Sequence, residues 1–150
     1  MKAFRFPLQR ALDWRTVQLR AEEEKLAILQ RKLAALIHRE KAVMAAQSRS
    51  ESTVLGRPSM AGSDLRVLSG FQVRAKSERT TLQSSRTQCG VQIAEQLKRL
   101  LKARQDCRVL EQLKEKRHKA WVYLGEREVE DTAAESYISN WLRSNAEEKG

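Results

Sequence analysis

Apolar side chains recur along this sequence at alternating steps of three and four residues. From Leu65 the steps reach Leu68, Gln72, Ala75, Arg79, Leu82, Arg86, Cys89, Ile93, Gln96, Leu100, Ala103, Cys107, Leu110, Lys114, Arg117, Trp121 and Leu124, and two thirds of these positions are apolar. A stripe that holds a 3.5-residue period for so long stays on one side of a helix only if the helix supercoils around a partner. The same stepping from Leu8 gives Leu12, Arg15, Leu19, Glu22, Leu26, Leu29, Leu33, Leu36, Glu40, Val43 and Gln47. This earlier seam is strongest from Leu26 to Leu36, and Ala11, Ile28 and Ile37 widen it, as suits a helix with more than one neighbour.

Between the two seams the period collapses into LGRPSMAGSD. Gly56 and Gly62 free the backbone, Pro58 blocks helix continuation, and Ser63 or Asp64 has the side chain to cap a following helix. A short loop between two amphipathic helices turns the chain back on itself. The pattern therefore predicts an all-α fold: two long helices forming one antiparallel coiled-coil hairpin over residues 1–150. Helix 1 is expected at about 7–54, the loop at about 55–63 and a longer helix 2 at about 64–144. Residues 1–6 read as an extended lead-in, with Pro7 in the first turn, where its missing amide hydrogen costs nothing. Pairing outward from the loop exhausts the first arm near residue 112 of the second, so an overhang is expected from Leu113. Gly70, Gly90 and Gly125 mark the places where the second helix is expected to bend or fray, and SNAEEKG should fray at its end.

Composition sharpens this picture. Aromatic residues are 5% and charged residues 32%, with 6 Gly and 2 Pro, the profile of long exposed helices rather than of a core built from many elements. The net charge of +10 favours acidic partners of any kind, whether nucleic acid, anionic lipid or protein. No apolar run approaches the ~20 residues that span a bilayer, and the chain reads as cytoplasmic.

Candidate chemistry is sparse. His38 and His118 have no Cys or His at a ligand interval, and no phosphate loop or nucleophile motif occurs, so no enzyme, metal, cofactor or small-molecule substrate is expected. Cys89 and Cys107 both fall on the seam, roughly 27 Å apart along a helix, which excludes a bridge and marks them as small core residues. The basic block at 98–119 is interrupted by Asp106, Glu111 and Glu115 and has only Trp121 for base stacking nearby, so a solvated or acidic-protein-binding face suits it better than nucleic acid. Past Gly125 the charge inverts through Glu126, Glu128, Glu130, Asp131 and Glu135. Phe4, Phe6 and Trp14 on one arm and Trp121, Tyr123, Tyr137 and Trp141 on the other gather at the open end, either as a local cap or as a docking tip.

Three stretches carry a family likeness. FRFPLQRALDWR (4–15) resembles the start of the flagellar FliJ family of type III export components. LEQLKEKRHKAW (110–121) is similar to that family's LExLKE(K/R)R segment, and EREVEDTAAE (126–135) resembles the acidic segment that follows it. The resemblance implies a coiled-coil stalk and chaperone for flagellar protein export, peripheral at the cytoplasmic face of the inner membrane. Such a protein binds and stimulates the export ATPase hexamer, links it to the export-gate membrane protein and meets other export chaperones. Carried over, the ATPase-binding candidates are Phe6, Leu8, Leu12, Leu110, Leu113, Arg117 and Trp121, and the gate-binding candidates are Phe71 and Ala75. Gly70 and the polar run from Ser77 to Thr80 depart from the apolar post-loop face usual in the family. The alternative of a different class is a basic coiled coil binding RNA, the ribosome or an anionic membrane, and seams that close between chains instead of within one remain a third possibility.

Overall fold

The computed structural model describes residues 2–150, and among them the fold is a helical hairpin with no strand. Helix α1 spans Gln9–Leu55 (47 residues) and α2 spans Gly62–Glu148 (87 residues). No Gly or Pro interrupts α1. By packing, the chain divides into two compact units, one of residues 2–17 with 104–150 and the other of residues 18–103, and both helices contribute to both units.

In the unit of residues 18–103, polar contacts across the helix pair report its register. The Gln96 amide donates to the Glu22 backbone carbonyl at 3.1 Å and to the Glu22 carboxylate. The Cys89 thiol donates to the Leu29 carbonyl at 3.4 Å. Arg39 pairs with Glu78 at 2.6 Å, Arg86 with Glu40 at 3.3 Å, and the Gln72 amide donates to Glu51 at 2.9 Å. Partners climb one helix as they descend the other, so the two segments run antiparallel. The expected seam is the one observed. Every stepped position from Leu19 to Gln47, and every one from Leu68 to Ala103 except Arg86, is at least half-buried.

Cys89 is 1% exposed, Leu100 4%, Ala75 5% and Val43 6%, whereas Leu19, Leu26, Leu29, Leu33 and Leu36 of α1 are only half-buried. A two-helix layer has open flanks, so only positions aimed along the line between the axes lose all their water. Ile28 shows the same limit from the other side: expected to widen the seam, it is 53% exposed because no third helix covers it. Gln96, 5% exposed, is the buried polar member, and its two hydrogen bonds to Glu22 favour this register over a slipped one.

In the unit of residues 2–17 and 104–150, the pairing is again antiparallel. Arg15 meets Asp106 at 3.1 Å, Thr16 lies 3.7 Å from the Cys107 sulfur, and the Trp121 indole N–H donates to the Lys2 carbonyl at 3.1 Å. The overhang accordingly begins later than the pattern implies, after Gly125 rather than at Leu113. Residues 2–6 are not helical, and such chain advances up to ~3.3 Å per residue against 1.5 Å in a helix, so a few residues cover several turns of α2. They do not follow the seam, and Arg117 and Leu124, both stepped positions, are exposed. Beyond, from Glu126 to Ser144, every residue is exposed.

The helix boundaries also shift. At the start the Gln9 amide bonds the Phe6 carbonyl at 3.1 Å, so Pro7 and Leu8 form a turn just ahead of α1; Met1 lies outside the described residues. The loop is shorter than expected, 56–61, and neither Ser63 nor Asp64 is the cap. The Ala61 carbonyl takes the amides of Asp64 and Leu65 at 3.1 and 3.4 Å, which puts Asp64 in the first turn, where its charge favours the positive helix end and pairs with Arg57 at 3.4 Å. Contrary to the expected fraying, α2 continues through Gly70, Gly90 and Gly125 and on to Glu148.

Two outcomes follow from this packing. A Cβ at Gly70 or Gly90 meets nothing within 4 Å, so Gly70→Ala and Gly90→Ala should each raise unfolding stability by about 0.5–1 kcal/mol, whereas Gly56→Ala, whose Cβ would lie 2.9 Å from the Ser52 carbonyl oxygen, should lower it; urea denaturation reads all three. The hydrogen bond from Gln96, with smaller help from Lys25 and Arg99, outweighs desolvation and holds the Glu22 carboxyl below its ordinary value of 4.5. A lowered folded-state pKa stabilises the fold above the unfolded value, and that contribution disappears as pH falls through the lowered one. In Gln96→Ala the Glu22 carboxyl, followed by NMR, should titrate closer to its ordinary value, and an unchanged titration would contradict this assignment.

Candidate protein-docking site

The unit holding both ends of the chain collects all seven residues expected to face the ATPase. Phe6 and Leu12 are each 7% exposed and pack against α2, so they support the surface from beneath. Leu110 and Leu113 are half-buried on the facing side. Leu8, 39% exposed, and Arg117, also exposed, are the two with most surface to offer. Trp121 is half-buried and fixed at its nitrogen by the Lys2 carbonyl.

An aromatic cluster locks this end. Phe4 stands edge-on to His118 with centroids 5.0 Å apart and tilts against Trp121 at 5.9 Å, while His118 and Trp121 lie 5.7 Å apart. Such arrangements add about 0.5–1.5 kcal/mol per pair beyond the area they bury. Lys2, Phe4, Arg5, Trp121, Leu124 and Glu128 line an open groove beside the cluster. Of the aromatic residues expected at this end, Phe4 and Trp121 meet in the cluster and Phe6 is buried, whereas Trp14, Tyr123, Tyr137 and Trp141 remain 55–73% exposed. His118 was not singled out from the sequence. The available signal was its place three residues before Trp121, one turn along the same helix face.

The surface around the cluster is strongly charged. Lys114, Lys116, Arg117 and Lys119 crowd one stretch of α2, relieved by Glu115, whose carboxylate bonds Lys119 at 2.7 Å and is held below its ordinary pKa mainly by that hydrogen bond. Among the described residues no group of acidic, His or Cys side chains could hold a metal ion. Both cysteines are free and buried. The arrangement offers shape, aromatic edges and positive charge, which suit a protein surface with acidic rims.

The gate-binding candidates lie in the other unit and differ from each other. Phe71 is half-buried between two shallow grooves, one lined by Arg39, Val43, Ala46 and Arg74, the other by Arg49, Val54, Val67 and Leu68. Ala75 is 5% exposed and belongs to the helix-helix packing, so only Phe71 presents itself to a partner. Among the described residues no helix is long and apolar enough to cross a membrane. No protein-family model, curated protein or solved structure matches the chain.

The cluster has a measurable signature. Phe4→Ala or Trp121→Ala should release residues 2–8 from α2, seen as hydrogen exchange there rising to that of unstructured chain, while amides of residues 68–100 keep their protection. Global unfolding in both variants would show instead that the cluster supports the whole hairpin.

Proposed function

We propose that this chain is a coiled-coil stalk and chaperone of the FliJ kind, which binds and stimulates a flagellar export ATPase and links it to the export gate at the cytoplasmic face of the inner membrane. One observation carries the reading. The opening segment and LEQLKEKRHKAW, the two stretches that resemble the family's termini, are about a hundred residues apart in sequence and form one surface.

The chemistry of that surface supports the same role. Its effect would be on a partner's activity. Its cationic face would be steered toward an acidic pore, and Leu8, Arg117 and the rim of Trp121 supply the contacts once it arrives. The gate contact would fall on Phe71 and its grooves, with Ala75 acting only by setting the distance between the helices beneath.

Mixed with a purified flagellar export ATPase, the chain should raise its rate of ATP hydrolysis. The doubly substituted Leu8→Ala, Arg117→Ala chain, with unchanged helicity, should lose most of that stimulation. Absence of stimulation together with retention on RNA at about 200 mM salt, where counterion release has already weakened non-specific binders, would favour the nucleic-acid reading instead.

A further inference from the structure

The outward side of α2 carries a pattern that the hairpin does not use and that the export reading uses only for the charges of Lys116 and Lys119. From Val109 it runs at steps of seven through Lys116, Tyr123 and Glu130 to Tyr137, all exposed and all pointing away from the seam marked by Cys107, Leu110 and Lys114. A second row, with Lys119 and Glu126 at its centre, lies three residues behind the first and is exposed as well. Two such rows over four heptads are the layout of a coiled-coil face, and the span from Val109 to Tyr137 is about 42 Å of helix.

Charge along this face is mirrored about its middle. Within its two rows a basic block, Lys116 and Lys119, precedes Tyr123 and an acidic block, Glu126 and Glu130, follows it. Lys116 and Glu130 lie seven residues on either side of Tyr123, and Lys119 and Glu126 four and three. Turned end over end, the face is therefore complementary to itself: laid antiparallel on a copy with Tyr123 against its own equivalent, Lys116 falls opposite Glu130 and Val109 opposite Tyr137, while Lys119 falls one residue from Glu126 along the second row and level with Arg127. A parallel arrangement would set each block against its like.

The second half of the face also lacks a neighbour within the chain. From Glu126 to Ser144 nothing covers α2, and Tyr137, Ile138 and Trp141 are 73%, 54% and 55% exposed. Most of a helix's stability in proteins comes from packing of one face, which this stretch does not receive within the chain. We propose that two copies of this chain associate through the outer face of α2, antiparallel about a twofold axis near Tyr123. The interface is isologous, with ion pairs repeated by symmetry and apolar contacts at its two ends. It leaves the intramolecular seam intact.

Light scattering on the full chain at low salt and high micromolar concentration should give twice the chain's 17.3 kDa. The substitutions lie at exposed positions, and circular dichroism verifies that helicity is kept. The acidic variant K116E/K119E and the basic variant E126K/E130K should each run as monomers, and an equimolar mixture of the two should return to the dimer mass. Monomeric wild-type chain under these conditions overturns the proposal. So does a dimer that neither variant weakens, which would mean that the copies exchange seams or meet through another face. Failure of the mixture to re-form a dimer would likewise remove the antiparallel arrangement.

Discussion

Burial of one narrow apolar stripe against another is what turns residues 18–103 from two separate helices into a structure. Each helix there has one continuous apolar edge, with exposed apolar residues such as Ile28, Val73 and Leu101 only scattered among polar ones elsewhere, so the way either can withdraw that edge from water is to place it on the other. The 3.5-residue period makes the contact continuous, because it keeps the stripes facing each other turn after turn. The loop at 56–61 makes it intramolecular and sets its direction. Hydrogen bonds within each helix add stiffness but do not choose the partner; the stripe does.

The stripe alone would tolerate slippage by a heptad, since one leucine resembles the next. What distinguishes the register is the run of small and polar residues among the leucines. Ala75 and Cys89 let the helices approach where larger side chains would hold them apart, and Gln96 is satisfied only where Glu22 lies opposite. Exposed ion pairs such as Arg39 with Glu78 contribute about 0–1 kcal/mol each, little as stability, but a slipped register would lose several at once. Stability therefore resides in the apolar rows and specificity in the exceptions to them.

This division explains what could be read from the sequence. The seams, their antiparallel closure and the longer second helix follow from periodicity and one loop, and the burial of Leu26, Leu33, Cys89 and Cys107 follows with them. Periodicity could not foresee where helical advance gives way to non-helical chain. The overhang therefore starts about twelve residues later than the pattern implies, and periodicity gives no sign that His118 meets both Phe4 and Trp121. Glycine was also overweighted. Gly70 and Gly90 lower helix propensity locally, but α2 is held by packing on either side of them and does not break. The docking site was legible as a meeting of two segments and not as a set of exposed atoms, because a stripe predicts which residues share a side, not which of them remain uncovered.

That distinction bears on how any partner would engage the end of the hairpin. Phe6 and Leu12 contribute almost no surface, so a protein that gripped them would have to pull the opening segment away from α2 and break the aromatic cluster as it did so. Binding to the closed form must instead use Leu8, Arg117 and the groove beside Trp121, in which Lys2, Arg5 and Glu128 border Ala3, Phe4 and Leu124. Recognition of this kind joins electrostatic steering to a limited apolar contact, so it is sensitive to salt and reversible. A partner that must bind and release repeatedly is better served by such a surface than by one that has to be pulled open before it can be gripped.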